Sequence, residues 1–138
     1  MLKLLFLFFG ISSLAFSQNT SLTVTVTGIK NNTGKLTAEV YNSKGKFLKS
    51  AFKTTSSTIK SNSVTIVFND LPKSEYTVMV YHDENNNGKL DKNFIGMPKE
   101  AVACSNTAKG FMVPPNYEDA KFSLVADSKI IIKMNDKL

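Results

Sequence analysis

Alternating hydrophobic and polar positions recur in short runs along the chain and predict β-strands. A strand with one buried face needs an apolar residue at every second position. In one run, Tyr76, Val78 and Val80 share the face expected to be buried, while Met79 and Tyr81 lie on the other. The runs with this pattern are 21–26, 35–41, 63–68, 75–82, 121–125 and 129–134.

The spacing of these runs predicts an all-β fold. No segment after residue 17 keeps the i, i+3, i+4, i+7 spacing of an amphipathic helix over three turns. About six or seven short strands joined by polar turns are typical of a two-sheet β-sandwich, immunoglobulin-like or transthyretin-like. A small barrel is the alternative. Residues 31–34, Asn-Asn-Thr-Gly, tolerate positive φ and predict a hairpin between the first two strands.

The first 17 residues have the layout of a secretory signal peptide. Lys3 precedes an apolar run, and the segment ends in Ala-Phe-Ser, which predicts cleavage after Ser17. A retained membrane helix is the alternative, but Gly10 and two serines interrupt a run already shorter than the roughly 20 residues that a span requires. We therefore expect a protein exported to the periplasm or beyond, with residues 18–138 forming one domain and no membrane span in the mature chain.

Residues 83–118 interrupt the alternation and form the longest segment without a strand pattern. The segment contains 36 residues and three of the four prolines. Loops of this length in a compact domain are usually functional or held by something other than secondary structure. We therefore expect the functional site, and the contact surface for a partner, in this segment.

The start of that segment resembles a calcium-binding loop. Oxygen-bearing side chains lie at positions 1, 3, 5 and 9 of such a loop, and Gly88 occupies position 6, where the chain must turn sharply. Position 7 contributes a backbone carbonyl in this geometry. The predicted metal ligands are Asp83, Asn85, Asn87, Asp91 and the carbonyl of Lys89.

The loop is incomplete, because position 12, normally an acid that supplies two oxygens, is Phe94. Glu100, Glu118, Asp119 or water would have to complete the coordination. We therefore expect calcium as a weakly bound structural cofactor, with a Kd on the order of 10⁻⁴ to 10⁻³ M. The alternative is a turn without metal, since Asn, Asp and Gly are also the residues that turns favour.

The charge of the chain narrows the class of partner. The formal net charge is +6, and all 17 basic residues are lysines that are scattered along the sequence. Readers of nucleic acid depend on the planar fork of Arg, so we expect no nucleic-acid partner. The expected partner is an unknown protein or glycan.

The residues that could carry catalysis are few. Cys104 and His82 are each the only residue of their type, and no nucleophile motif such as Gly-x-Ser-x-Gly occurs. We predict no catalytic residues, no enzyme activity, and a buried thiol at Cys104. We expect His82, at a strand end, to be hydrogen-bonded to the loop that follows it. A small periplasmic carbohydrate-active enzyme that uses Asp83, Glu84 or Glu100 as acids is the competing hypothesis.

The chain contains the run His-Asp-x-Asn-x-Asn-Gly-x-Leu-Asp at 82–91 and the run Gly-x-Pro-x-Glu at 96–100. With these runs it resembles a family of secreted bacterial domains of unknown function, family 2141. The resemblance is strongest from Leu71 to Phe122. Ala103-Cys104 stands where the family pattern has Gly-Phe. The resemblance implies a secreted β protein, without an established activity. The residues that carry the resemblance are His82, Asp83, Asn85, Asn87, Gly88, Leu90, Asp91, Gly96, Pro98, Glu100, Ser105, Asn106 and the run PNYEDAKF at 115–122.

Overall fold

The computed structural model describes residues 18–109 and 114–134, and in them eight strands form two sheets. One short helix, α1 (Tyr117–Ala120), and two single 3₁₀ turns, Lys44–Lys46 and Ser105–Thr107, lie in the connections. The strands are β1 (Thr20–Thr27), β2 (Lys35–Tyr41), β3 (Lys53–Thr58), β4 (Val64–Leu71), β5 (Ser74–Asp83), β6 (Val102–Cys104), β7 (Phe122–Leu124) and β8 (Ser128–Lys133).

The two sheets pack face to face as a β-sandwich. This confirms the predicted all-β sandwich, and the alternative of a small barrel is wrong. The three-stranded sheet has the order β4-β1-β8, with β1 antiparallel to β4 and parallel to β8. The five-stranded sheet has the order β3-β2-β5-β6, and β7 pairs with the start of β5. All pairings in this second sheet are antiparallel.

The main core lies between the sheets and follows the alternation of the sequence. Every second residue of β1, β2, β4 and β5 faces this core, because successive side chains of a strand point to opposite faces. The core residues are Leu22, Val24, Val26, Ile29, Leu36, Ala38, Val40, Ile59, Val64, Ile66, Phe68, Leu71, Tyr76, Val78, Val80, Leu124, Ile132 and Met134.

A second apolar cluster covers the outer face of the five-stranded sheet. Met79 and Tyr81 of β5 lie there, as predicted, and Phe47 packs edge-on against Tyr41 and Tyr117 with ring centroids 5.5 and 5.7 Å apart. Cys104 and Ala120 complete the cluster. Because β5 is buried on both faces, its last eight residues are all buried, and its end is held rigidly.

The structure differs from the predictions in two strands and one connection. β3 and β6 lie outside the predicted runs. Residues 31–34 do not form a hairpin, because β1 and β2 belong to different sheets and the connection crosses between them. Gly34 does adopt the expected positive φ, at 70°.

Candidate functional site

β5 ends at Asp83, and the carboxylate of this residue organises the loop that follows. Asp83 is only 1% exposed, and it lies at the end of the best-buried strand. Its Oδ1 accepts a hydrogen bond from the backbone N–H of Asn87 at 3.1 Å, and its Oδ2 accepts one from Gly88 at 2.8 Å. Asn86 and Gly88 both have positive φ, which turns these N–H groups toward the carboxylate. The first predicted ligand therefore holds the loop closed.

Asn85, Asn87 and Asp91 meet on the exposed side of the same loop. The side-chain amide nitrogens of Asn85 and Asn87 donate to the two oxygens of Asp91, at 2.5 and 2.7 Å. The amide oxygens accept backbone N–H groups, Asn85 from Asn87 at 3.3 Å and Asn87 from Lys89 at 3.1 Å. The two amide donors lower the pKa of Asp91, because they stabilise its charged form. Four of the predicted ligands are thus assembled in one loop.

The fifth predicted ligand, Lys89, has an exposed side chain and lies in the same turn, where its N–H binds Asn87. Leu90 follows it and packs against the second cluster, as expected of a residue that anchors the loop. The main chain therefore passes the exposed turn and returns to the body of the protein before Asp91.

Glu100 is the acid that the structure brings to this loop. Its Oε2 accepts the backbone N–H of Asp91 at 3.1 Å, whereas its Oε1 is buried and has no hydrogen-bond partner among the described residues. Burial raises the pKa of Glu100, and the negative charges of Asp91 and Asp83 raise it further, against the effect of the backbone N–H groups of Asp91 and Glu84, which lower it. Within the part of the chain that the structure describes, Oε1 of Glu100 therefore has neither a hydrogen-bond donor nor an ion-pair partner.

The other two acids considered for the vacant position 12 lie elsewhere. Glu118 is in α1 and binds Lys121 at 2.6 Å and Lys44 at 3.7 Å. Asp119 is exposed on the same short helix. α1 packs on the second cluster, next to the 3₁₀ turn Ser105–Thr107. Of the three acids, only Glu100 contacts the loop.

The carboxylates do not form a closed metal cage. In residues 18–109 and 114–134, no three His, Cys, Asp or Glu side chains lie in an arrangement that would hold a metal ion. Asp83 is bound to loop N–H groups, and Asp91 faces amide nitrogens instead of oxygens. Calcium binding requires the amides of Asn85 and Asn87 to rotate so that their oxygens replace the nitrogens.

His82 and Cys104 lie on opposite faces of the five-stranded sheet. His82 lies opposite Leu36 and faces the main core, where its Nε2 binds the carbonyl of Thr33 at 2.6 Å. Its hydrogen-bond partner is thus in the β1–β2 connection and not in the following loop. Cys104 lies opposite Met79 in the second cluster, on the other face of the sheet. Burial raises the pKa of the Cys104 thiol to about 12, and the thiol is buried as predicted.

A match to a protein family covers nearly the whole sandwich. The profile of a family described as an uncharacterized protein conserved in bacteria (DUF2141) matches residues 24–132, from within β1 to within β8. The chain belongs to this family. No curated protein and no solved structure matches it. The family resemblance seen in the sequence is therefore confirmed, and no activity comes with it.

In this DUF2141 protein, the segment after the loop contains a feature that sequence reasoning missed. Residues 91–99 form a small hairpin in which Lys92 pairs with Pro98 and the N–H of Lys99 donates to the carbonyl of Asp91 at 2.8 Å. The hairpin places Glu100 beside Asp91. The Asn93 and Gly96 pair in the sequence was the available signal, since Asn and Gly favour such turns.

The described residues of the DUF2141 protein contain no helix with the length and apolar character of a membrane span. The signal-peptide prediction concerns residues that lie outside the described ones.

Proposed function

We propose that the chain is an exported, non-catalytic β-sandwich module in which residues 83–91 bind a structural calcium ion and hold a contact surface in place. The ion would be held by Asp83, Asn85, Asn87 and Asp91, by the carbonyl of Lys89, and by Glu100 in place of the missing acid at position 12. The ion supplies positive charge to the loop and no chemistry. The partner surface is the end of the sandwich where β5 terminates.

The observation that supports this proposal best is Oε1 of Glu100, which is buried and has no hydrogen-bond donor within residues 18–109 and 114–134. A buried carboxylate oxygen without a donor is costly, and like charges on Asp83 and Asp91 add to the cost. A divalent cation placed among the three acids would offset both. A buried polar atom without a hydrogen-bond partner is rare in native proteins, and a bound ion or water is one explanation for it.

The local geometry of Asp83 also fits a calcium loop. In that loop the first residue and the turn at position 6 must be close together, and here Oδ2 of Asp83 accepts the N–H of Gly88 at 2.8 Å. Hydrogen bonds from the loop's own N–H groups to Asp83 hold this backbone closed. Binding would then require only side-chain rotation at Asn85, Asn87 and Glu100, which limits the entropy lost.

The affinity should be low, because two of the side-chain ligands are neutral amides and Asp91 is only partly buried. A Kd on the order of 10⁻⁴ to 10⁻³ M is typical of extracellular modules. At a calcium concentration about ten times the Kd, binding would raise the free energy of unfolding by roughly 1.4 kcal/mol.

The test compares melting temperatures of residues 18–138 in millimolar calcium and in chelator. All eight strands lie within this range. We expect a higher melting temperature in calcium for the wild type, and the same melting temperature in both conditions for Asp91→Asn/Glu100→Gln. Asp119→Asn removes an exposed acid from α1 and serves as the matched control, with an unchanged calcium response. A wild type that melts equally in both conditions would reduce the motif to a turn.

Asp83→Ala is a poor variant for this purpose, because the carboxylate also binds the N–H groups of Asn87 and Gly88. Its removal should lower stability in chelator as well. Replacing Asp91 and Glu100 instead separates the loss of the ion from the loss of the loop.

A further inference from the structure

The tip of the hairpin 91–99 is a rigid turn. The N–H of Asn93 donates to the carbonyl of Met97 at 2.8 Å, and the N–H of Gly96 donates to the carbonyl of Asn93 at 3.0 Å. Oδ1 of Asn93 accepts the N–H groups of Ile95 and Met97, both at 3.0 Å. With Gly96 at a φ of 84°, this is a four-residue turn followed by a glycine bulge. Phe94 and Ile95 occupy its two central positions.

The side chains at these central positions are large, apolar and exposed. Phe94 is 100% exposed and Ile95 is 64% exposed. Turn centres are usually occupied by Gly, Pro, Asn, Asp or Ser, which accommodate turn geometry and water. A single exposed apolar residue is ordinary, but two adjacent ones at the outermost point of a fixed turn form a patch that has no role in the core.

The apolar tip is surrounded by lysines. Lys92 and Lys99 lie on the two arms of the hairpin, Lys89 precedes it, and all three are exposed. Two acids of the segment, Asp91 and Glu100, bind groups within the loop. Lys89 and Lys99 lie near enough to Asp91 for their positive charges to lower its pKa, and Glu84 is exposed. The outer surface of the hairpin therefore combines apolar side chains at the tip with positive charge behind it.

More lysines lie at the same end of the sandwich. Lys35 at the start of β2 is opposite Asp83, and it is also opposite Thr58 at the end of β3. Lys60 follows β3, and Lys30 lies in the connection that leads into β2. All three lysines are exposed. This end of the protein attracts anions over a wider area than the hairpin alone.

We propose that the hairpin 91–99 docks on the surface of an anionic lipid bilayer. Phe94 and Ile95 enter the boundary between headgroups and acyl chains, while Lys89, Lys92 and Lys99 stay at the lipid phosphates. Apolar side chains with a cationic rim are the combination that such surfaces bind. The proposal gives a partner class to the contact surface. It rests on the proposed function, because that function places the contact surface at this end of the sandwich.

The shape of the tip favours lipid over a protein partner. A stable protein interface buries about 800 Å² on each side, with a packed centre. Two side chains at a convex turn cannot supply that area. A bilayer needs no complementary pocket, because its headgroups rearrange around an inserted side chain.

The first test is flotation of residues 18–138 with vesicles of phosphatidylcholine alone or mixed with phosphatidylglycerol. We expect binding only to the mixed vesicles, and weaker binding at high salt. Phe94→Ser/Ile95→Ser should reduce the binding constant by about tenfold or more. Val125→Ser/Ile131→Thr, which changes two side chains that are 69% and 74% exposed elsewhere, is the control and should bind like the wild type.

The lysines can be tested in the same assay. Lys92→Gln/Lys99→Gln should weaken binding to the mixed vesicles by about fivefold or more. Lys73→Gln/Lys129→Gln removes the same charge from exposed sites away from the hairpin. This control should lose less, because surface attraction acts within about one Debye length. Equal losses for the two pairs would contradict docking through the hairpin.

The absence of Trp from the chain permits a second test that does not depend on affinity. In Phe94→Trp, the tryptophan fluorescence, excited at a wavelength that tyrosine does not absorb, comes from position 94 alone. We expect its emission to shift to shorter wavelength with the mixed vesicles, and that of Val125→Trp to stay unchanged.

Two results would overturn the proposal: flotation of Phe94→Ser/Ile95→Ser that equals the wild type, or no binding of the wild type to the mixed vesicles. The second result would favour a protein partner. The melting comparison in calcium and chelator is independent of both. A calcium response without vesicle binding refutes only lipid docking, and vesicle binding without a calcium response refutes only the metal site.

Discussion

The backbone N–H of Asp91 donates to Oε2 of Glu100 across the base of a nine-residue hairpin, at 3.1 Å. The bond fixes one oxygen of Glu100 and leaves the other, Oε1, buried without a donor among the described residues. The same bond connects the proposed calcium loop with the proposed docking hairpin. The loop ends at Asp91, and the exposed tip of the hairpin lies between Asp91 and Glu100. Both functional hypotheses therefore depend on the same small hairpin.

Glu100→Gln should change how the stability of the metal-free protein depends on pH. The pKa of Glu100 is raised above its ordinary value of 4.5, so the folded protein binds this proton more tightly than the unfolded chain does. The free energy of unfolding should therefore fall as the pH rises through the window just above 4.5. Glu100→Gln should remove this part of the fall. Urea unfolding in chelator at a series of pH values measures it.

Asp91 should affect the pH dependence of stability in the opposite direction to Glu100 and at lower pH. Its pKa is lowered from 3.8, so its contribution to stability is lost only as the pH falls below that value. Asp119→Asn is the control and should keep the wild-type profile above pH 4.5. Identical profiles for Glu100→Gln and the wild type would mean that Glu100 is not destabilised in the folded protein.

Gly34→Ala should be strongly destabilising, because the chain has no room at this position. A Cβ atom there would lie 2.0 Å from the carbonyl oxygen of Asp83, and the φ of 70° is unfavourable for any other residue. We expect a loss of about 2–4 kcal/mol in the free energy of unfolding, measured by urea denaturation. Gly45→Ala is the matched control, because no atom of the described structure lies within 4 Å of its Cβ position. Equal stability of the two variants would show that the approach of Gly34 to Asp83 is not rigid.

Ser105→Ala should weaken the attachment of α1 to β5. The buried Oγ of Ser105 accepts the N–H of Val78 at 3.0 Å and donates to the carbonyl of Ala120 at 2.5 Å. Its loss leaves two buried backbone groups unpaired, which should cost about 1–3 kcal/mol. Ser123→Ala, at an exposed position of β7, should change stability by less than about 0.5 kcal/mol.

The calcium response separates this structural role from the metal site. Ser105 lies in the 3₁₀ turn after β6 and not in the loop, so Ser105→Ala should keep the wild-type rise in melting temperature with calcium. A lost response would place Ser105 in the site.

The strands with apolar alternation were predicted from the sequence and are present in the structure. The strands without this alternation were not predicted. β1, β2, β4 and β5 alternate because one of their faces packs in the main core. β3 has the sequence Lys-Thr-Thr-Ser-Ser-Thr and no buried residue, so no hydrophobic period marks it, and only its pairing with β2 makes it a strand. β6 has three residues, which is too short for any period.

The candidate site was partly predictable for a similar reason. The spacing of Asp83, Asn85, Asn87 and Asp91 is local, and the structure places all four in one loop. The choice of Glu100 over Glu118 and Asp119 required the hairpin, whose pairing brings residue 100 beside residue 91. Calcium binding itself stays a prediction.

What the sequence by itself determined is the set of properties that depend on neighbouring residues: the all-β class, the buried faces of four strands, and the loop around Gly88. Family membership follows from the same local runs. Only the tertiary structure decided which strands are partners, such as the parallel pairing of β1 with β8, and which faces of β5 are covered. It also decided that Phe94, in the place of a metal ligand by sequence spacing, lies instead at an exposed tip. These are contacts between distant residues, and they are set by the packing of two sheets, which no short sequence pattern encodes.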